Sequence, residues 1–244
     1  MATLLQYAFT AGTDAATTTA SGLSGSVVTN VGCSYFDHNG DDGWASAPVL
    51  ICNPATDAIS AATAVSTGSY WYFTATADAG QFLNLATLTL NAGRGGASTP
   101  RGIKVRSSID SYAADLYSAD LDTATPTWTA VNIDLSGAAF QVLSAITFRI
   151  YIWAPTTSNS VDEDDITLTG TVASTTSLNI GDAWKAIDWT GSKLNVGDVW
   201  KESRTVKVNI GDAWKRVYSS PAVLNEDATY ILLESGTDNR IEVE

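Results

Sequence analysis

The chain has 244 residues, of which 45% are hydrophobic and 16% are charged, so it contains enough apolar material for one large core and a smaller one. Its formal net charge of −13 excludes nucleic acid as a partner, because phosphate binding requires clustered Lys and Arg. No window reaches the roughly 18 apolar residues of a membrane-spanning helix, and the N-terminus lacks a secretory signal pattern. We therefore expect a protein that is made and folded in a cytoplasm and has no membrane partner.

The residues with reactive side chains are few. Cys33 and Cys52 are 19 residues apart and could pair across strands, but without a secretory signal we expect two buried thiols. His38 is the only histidine, and it falls in a polar turn with no nucleophile motif beside it. A second histidine or a cysteine cluster would be needed for a transition-metal site. These patterns predict a protein that is not an enzyme.

The turn around His38 is also a candidate cation site. Asp37, Asn39 and Asp41 place oxygen-bearing side chains at alternate positions, a pattern that suits Ca²⁺. The loop departs from the EF-hand pattern, because Asp42 lies where the glycine is needed and Pro48 where the bidentate Glu is needed. A turn rich in Asn, Asp and Gly also forms without a metal, which is the alternative interpretation. Ca²⁺ is the only cofactor for which the sequence offers candidate ligands.

The densest aromatic cluster is a run of four residues. In a strand, Trp71 and Phe73 would share one face, and Tyr70 and Tyr72 would share the other. One pair would then belong to the core, and the other could form a stacking platform for a sugar ring or an interface with another subunit. We take Tyr70 and Tyr72 as the candidate contact residues, and Trp153, at the end of a later strand, as a further exposed aromatic.

Alternation with a period of two residues recurs along the first part of the chain and predicts strands with one buried face. The clearest examples are Leu88–Leu90, Ile103–Val105, Val131–Leu135, Ile146–Trp153 and Ile166–Leu168. Turn-rich segments separate these runs. The spacing predicts an all-β fold, with a jelly-roll β-sandwich over residues 1–172.

A dense acidic run, residues 162–165, precedes the last predicted strand of the sandwich. Four adjacent carboxylates repel one another and would gain from a cation or a basic partner, and Asp164 is our candidate for an additional Ca²⁺ ligand. The default interpretation is a solvated turn. Acidic residues are abundant throughout the chain, so this run does not by itself indicate the paired carboxylates of a glycoside hydrolase.

The sequence changes character after Gly170, where an eight-residue pattern occurs three times. The copies are Leu178–Lys185, Leu194–Lys201 and Val208–Lys215. Each has Gly-Asp between two apolar runs, which predicts a hairpin with a tight turn. A lone hairpin is marginal in water, so we expect the three to stack on each other, on the sandwich or on neighbouring subunits. Residues 173–244 are therefore predicted to serve assembly or attachment, with Trp184, Trp200 and Trp214 in the packed interface.

The last segment predicts one more hairpin. Its arms are Tyr230–Ser235 and Arg240–Glu244, and the first arm is apolar without an obvious partner beyond the second. Packing between subunits around a symmetry axis would close such free edges. We expect a homo-oligomer, with a trimer as the favoured state.

Residues from Tyr72 to Gly170 resemble a jelly-roll domain of the carbohydrate-binding-module type, which is common in bacterial surface and secreted proteins. The segments that carry the resemblance are Gly80–Leu85, Arg106–Asp110, Leu135–Phe140, Ile146–Tyr151 and Asp164–Gly170. This resemblance implies a β-sandwich that binds glycans, including host glycans.

The tail is similar to structural proteins of tailed bacteriophages, through its Asn-Ile-Gly-Asp-Ala-Trp-Lys repeats and the ending Ile231–Gly236. That resemblance implies a virion component, assembled in the host cytoplasm, with the major capsid protein or tail components as partners. Our leading hypothesis is therefore a phage accessory protein, used for capsid decoration, as a head fibre or in the tail. The alternative is a carbohydrate-binding module, and a glycan-active enzyme ranks below both.

Overall fold

The computed structural model describes residues 1–174 except 1, 11, 42 and 122–126, and beyond residue 174 it describes the backbone of the strands alone. The chain forms two compact units, Met1–Ser174 and Thr175–Glu244. The last strand of the first unit ends at Ser174, two residues beyond the sequence-based boundary at 172.

The first unit is a β-sandwich of two antiparallel sheets, as the all-β prediction requires. The seven-stranded sheet consists of β1 (Ala2–Tyr7), β2 (Thr18–Thr19), β5 (Tyr35–Gly40), β6 (Val49–Asn53), β8 (Gln81–Arg94), β11 (Thr129–Asp134) and β13 (Val161–Ser174). The six-stranded sheet consists of β3 (Leu23–Gly25), β4 (Thr29–Val31), β7 (Tyr70–Ala77), β9 (Gly102–Ser107), β10 (Tyr117–Asp120) and β12 (Ala145–Trp153). The chain passes repeatedly from one sheet to the other, which gives a jelly-roll arrangement.

The core lies between the two sheets and follows from the alternation of each strand. In β12, Ile146, Phe148 and Ile150 are almost fully buried, as their period of two predicts. Phe148 is adjacent to Phe73 on β7, with ring centroids 5.4 Å apart. Burial of a large apolar side chain stabilises the fold by about 1.5–3 kcal/mol, so this layer of the sandwich is its main source of stability.

The acidic run is not a solvated turn. It forms the first part of β13, where Asp162 and Glu163 are 0% exposed and Asp164 is 3% exposed. Each of the first two carboxylates accepts a hydrogen bond from an indole N–H, Asp162 from Trp44 at 2.8 Å and Glu163 from Trp71 at 3.2 Å. The prediction was wrong because these buried indole donors come from distant parts of the chain.

One helix, α1 (Ala61–Thr67), lies outside the sequence prediction. Ser60 caps its first turn, accepting from the amide of Thr63, and Gly68 ends it with a left-handed φ of 71°. A helix of seven residues is too short to show a sustained 3.6-residue period, so the sequence pattern did not reveal it. The segment around α1 packs against Tyr151 and Trp153, at one end of the outward-facing surface of the six-stranded sheet.

The second unit consists of paired strands. The three repeats contribute the pairs β14 (Thr176–Asn179) with β15 (Trp184–Ile187), β16 (Lys193–Val196) with β17 (Val199–Glu202), and β18 (Thr205–Asn209) with β19 (Trp214–Ser219). The terminal pair is β20 (Thr229–Leu232) with β21 (Arg240–Val243). The predicted Gly-Asp turns, and the side chains of Trp184, Trp200 and Trp214, lie outside the described residues.

The terminal hairpin has a partner within the chain. β21 pairs with β18 of the third repeat, which gives a four-stranded sheet in the order β19-β18-β21-β20. The apolar arm β20 pairs with β21 and lies at the edge of this sheet. The assembly role of this unit stays a prediction.

The two cysteines are free thiols, Cys52 buried and Cys33 half-buried. His38 lies in β5 and is half-buried, so it does not occupy the polar turn expected from the sequence. In the part of the chain that is described, no helix has the length and apolar character needed to cross a membrane.

Candidate functional site

The candidate site is the outward-facing surface of the six-stranded sheet, across β7, β12 and β9. Every second residue of these strands points away from the core, and the register aligns two rows of such residues. One row is Tyr72, Arg149 and Arg106, and the other is Tyr70, Tyr151 and Lys104. With Tyr112, from the loop after β9, these residues form what we call the tyrosine–arginine face.

The division of the aromatic cluster on β7 follows the predicted alternation. Trp71 and Phe73 are 0% exposed in the core, whereas Tyr70 and Tyr72 are half-buried on the opposite side. The ring of Tyr70 lies 6.3 Å from that of Tyr72 and 5.1 Å from that of Tyr151, measured between centroids. Tyr70 and Tyr72 are the accessible phenols of these two strands, because Tyr151 is only 4% exposed beneath the segment around α1. That they contact a ligand stays a prediction.

Arg149 lies at the centre of the face and contacts two aromatic rings. Its guanidinium carbon is 3.6 Å from the ring centroid of Tyr112 and 4.6 Å from that of Tyr70. Such cation–π contacts each contribute about 0.5–1 kcal/mol at a partly exposed site. Among the described residues Arg149 forms no ion pair. Its charge is thus held in place by rings and not by a carboxylate.

The loop that carries Tyr112 is fixed by hydrogen bonds. The carboxylate of Asp110 accepts from the amides of Ala113 and Ala114, at 3.2 and 2.7 Å, and Arg106 donates to the carbonyl of Tyr112 at 2.8 Å. Tyr112 itself has a φ of 64°, a left-handed conformation that costs a non-glycine residue on the order of 1–3 kcal/mol. The surrounding contacts hold this conformation and place the Tyr112 ring over the guanidinium.

The second group of charges on the face is internally paired. Asp115 accepts from Lys104 at 2.7 Å and from Arg106 at 2.6 Å. Partial burial raises the pKa of Asp115, but the hydrogen bonds and charges of the two cations outweigh it and hold the pKa below its usual value. Two cations and one carboxylate give this group a net charge of one positive unit, in addition to the charge of Arg149.

The pKa values of Tyr70 and Arg149 depend on each other. Burial raises the pKa of Tyr70, and the charge of Arg149 opposes that shift only in part. Burial lowers the pKa of Arg149, but a hydrogen bond with Tyr151 and the neighbouring phenols outweigh it, so the net shift is upward. At neutral pH Tyr70 is therefore a neutral phenol beside the charged Arg149.

Trp153 is not an exposed aromatic. It is 2% exposed, its indole N–H donates to Asp120 at 3.2 Å, and it packs in a small cluster with Ala58 and Ala64. The segment around α1 covers this end of the sheet, and the alternation of β12 alone gave no sign of that cover. The expectation that Trp153 is an exposed aromatic is therefore wrong.

The predicted carboxylate ligands of the cation accept hydrogen bonds from backbone amides close to them in sequence. Asp37 accepts from the amide of Asn39 at 2.9 Å, Asp41 accepts from the amide of Gly43 at 3.3 Å, and Asp164 accepts from the amide of its neighbour Asp165 at 2.8 Å. Within the described residues, no group of three or more His, Cys, Asp or Glu side chains is arranged to hold a metal ion. Ca²⁺ binding at these positions stays a prediction without a described cluster to support it.

The sequence analysis missed the polar groups inside the sandwich. Burial raises the pKa of Glu163 well above its ordinary value, and the nearby charge of Asp162 adds to this, while the hydrogen bond from Trp71 lowers it. Burial likewise raises the pKa of Asp164, to about 6. No local sequence signal distinguishes these residues from surface acids.

The two thiols lie in the same interior and have low reactivity. Burial raises the pKa of Cys33 to about 12, and the neighbouring Glu163 adds to the shift. Burial also raises the pKa of Cys52 well above its ordinary value. Because the thiolate is the reactive form, neither cysteine is suited to act as a nucleophile.

A separate aromatic pair involves the other sheet. Trp44, only 3% exposed, stacks on the half-buried Trp128 with ring centroids 3.5 Å apart and planes 13° from parallel. The Trp44 ring lies so close to Gly93 that a Cβ there would collide with it. Trp128 is therefore a second half-buried aromatic residue, beside β8 of the seven-stranded sheet, that binding experiments must distinguish from the tyrosine–arginine face.

The chain matches no family model and no curated protein. The solved structures that match this chain include three at low identity. A family 61 carbohydrate-binding module in complex with β-1,4-galactotriose is 12% identical, with 67% of this chain and 94% of that chain covered and a TM-score of 0.33. The family 11 carbohydrate-binding module of a cellulosomal cellulase of Clostridium thermocellum is 14% identical, with coverage of 70% and 89% and a TM-score of 0.29.

The third is an arabinose-bound family 51 α-L-arabinofuranosidase, 14% identical, with 68% of this chain covered and a TM-score of 0.38. This chain spans 26% of that enzyme's length.

Proposed function

We propose that the sandwich is a non-catalytic carbohydrate-binding module whose ligand lies on the tyrosine–arginine face. The observation that carries this proposal is the half-exposed cluster of Tyr70, Tyr72 and Tyr112 around Arg149, held on a rigid sheet. Tyrosine offers an apolar ring to the C–H face of a sugar and a hydroxyl to its polar groups, at low cost in conformational entropy.

Two half-buried tyrosines on the same side of one strand suit a glycan chain better than a small molecule. Tyr70 and Tyr72 lie on β7 with ring centroids 6.3 Å apart, whereas a small ligand usually binds in a concave pocket that buries most of its surface. A glycan chain that crosses β7 can contact both rings in succession.

The test is glycan binding by full-length protein, using affinity electrophoresis on a panel of polysaccharides. Tyr72→Ala and Tyr70→Ala are expected to weaken binding by about tenfold, because each removes a stacking ring. Tyr35→Ala is the matched control, since Tyr35 is a 49% exposed tyrosine on the seven-stranded sheet.

Two outcomes would contradict the proposal. Binding that survives both tyrosine substitutions on β7 places the ligand elsewhere. Binding that is lost only in Trp128→Ala places it at the Trp44–Trp128 pair of the other sheet.

The second unit favours an additional role, assembly of the protein into a homo-oligomer within a phage virion. Three repeated strand pairs and a terminal pair form a unit separate from the sandwich, and small hairpins gain stability from partners. The virion role and its capsid or tail partners rest on the repeat sequence and stay a prediction. Mass spectrometry of purified phage particles tests it.

We further propose that the sandwich has no hydrolytic activity. The thiol pKa values are raised, and the single histidine of the chain has no nucleophile motif beside it. Turnover of a polysaccharide that one carboxylate substitution abolishes would contradict this.

A further inference from the structure

We propose that the ligand of the tyrosine–arginine face is an anionic glycan, one that carries carboxylate or sulfate groups beside its sugar rings. The inference rests on the proposed function, because it names the class of glycan for the same face. Two observations support it. The guanidinium of Arg149 lies among half-exposed tyrosines and forms no ion pair with a described residue, and most cations of this acidic domain lie on the same face.

The cations of the sandwich are concentrated. Residues 1–174 contain fifteen Asp and Glu residues but only five basic ones, which are Arg94, Arg101, Lys104, Arg106 and Arg149. Three of the five lie on the tyrosine–arginine face, within the aligned rows of β9 and β12. A domain that repels anions over most of its surface thus offers them one favourable region.

Within that face, Arg149 is the cation that remains for a ligand. Asp115 pairs with both Lys104 and Arg106, and the Asp110 carboxylate bonds to backbone amides of its own loop. The three cations and these two carboxylates still leave one positive charge in a chain whose net charge is −13. No described carboxylate pairs with Arg149.

The stacking of Arg149 determines how a ligand would reach it. Tyr70 and Tyr112 lie within cation–π distance of the guanidinium, so the N–H groups at its edge, apart from the one bonded to Tyr151, are the donors left for a ligand. A planar guanidinium edge matches a carboxylate or sulfate through two parallel hydrogen bonds, which are about twice as strong as neutral ones. A sugar ring stacked on Tyr72 would place its anionic substituent beside this edge, since Tyr72 and Arg149 are cross-strand partners.

The test uses the full chain and two matched probe pairs in affinity electrophoresis and calorimetry. Polygalacturonate is compared with its fully methyl-esterified form, which keeps the backbone and linkage but lacks the charge, for the carboxylate arm, and dextran sulfate with dextran for the sulfate arm. We expect the anionic member of one pair to bind at least about tenfold more tightly than its neutral counterpart, with an affinity that falls as salt rises.

Arg149→Gln should reduce affinity for the anionic probe by about tenfold, and Arg149→Lys by less, because lysine keeps the charge but loses the planar fork. Thermal melts verify that both variants are folded. Arg94→Gln is the charge-matched control, since it removes one cation from the seven-stranded sheet, and it should leave affinity unchanged.

Each result has a defined meaning. An equal loss in Arg94→Gln and Arg149→Gln indicates non-specific attraction and overturns the inference. Binding of neutral probes alone, lost in Tyr72→Ala but unchanged in Arg149→Gln, overturns the inference while the proposed function stands. If Tyr70→Ala and Tyr72→Ala change no binding at all, the proposed function itself fails.

Discussion

Glu163 lies in the core of the sandwich with an indole N–H of Trp71 and the thiol of Cys52 as its polar neighbours. The causes of its pKa shift include no neighbouring cation, so the charged form is disfavoured and the pKa rises. Asp164, one residue further along β13, shifts in the same direction. At the scale of single residues, these acids couple the stability of the fold to pH.

The sign of that coupling follows from the raised pKa. A carboxyl group whose pKa is higher in the folded state contributes most stability below its unfolded pKa, and this contribution is lost as pH rises through the folded pKa. For Asp164 the loss begins near pH 4 and continues through about pH 6, and for Glu163 it continues through the raised folded pKa of that residue. We expect the free energy of unfolding, measured with denaturant from pH 4 to pH 8, to fall as pH rises.

Glu163→Gln should flatten this pH dependence, because glutamine still accepts from Trp71 but cannot ionise. Asp78→Asn, which alters an exposed acid just after β7, should leave the slope as it is in the unmodified protein. An unchanged slope in Glu163→Gln would show that the buried glutamate does not control the effect.

The loop that carries Tyr112 is the element on which the binding face depends most. Asp110→Ala removes the acceptor for two amides of this loop, so the left-handed conformation of Tyr112 loses part of its support. We expect faster hydrogen exchange of the Ala113 and Ala114 amides and weaker glycan binding. Asp134→Ala, which removes a similar carboxylate-to-amide bond at Ser136, should affect neither measurement.

The helix α1 supports the covered end of the six-stranded sheet. Ser60→Ala removes the side-chain acceptor of its capping box and should lower the free energy of unfolding by about 1 kcal/mol. Ser66→Ala, an exposed serine within the same helix, is the control. Equal melting temperatures for the two variants would mean that the cap does not stabilise the fold.

Elements with a regular pattern were predictable from sequence, and elements defined by distant contacts were not. Strand β12 follows directly from its alternation, and so does the outward position of Tyr70 and Tyr72 on β7. The contacts of Arg149 depend on strand register and on a loop from β9, which no local pattern encodes. The buried position of Glu163 depends likewise on an indole 92 residues away.

At the scale of the whole molecule, the separation into two units makes it possible to test whether the sandwich binds glycan and the strand pairs mediate assembly. Truncation after Ser174 is expected to leave a folded, glycan-binding sandwich that no longer assembles, as measured by sedimentation and binding. The cut belongs at Ser174 and not at Gly170, because residues 171–174 of β13 pair with β8. A truncated protein that keeps the oligomeric state of the full chain would contradict this division.

The pairing of β1 with β13 also determines when the sandwich can fold. Residues 2–7 pair with residues 166–170, so this edge of β1 has no partner until the segment at 166–170 has been synthesised. Contacts between such distant residues are slow to form, whereas a hairpin such as β14 with β15 joins residues only a few positions apart. Until then the short pairing with β2 is the partner that β1 has on one side, and its other edge is exposed to other chains. We therefore expect crowding of nascent copies to lower the yield of native protein.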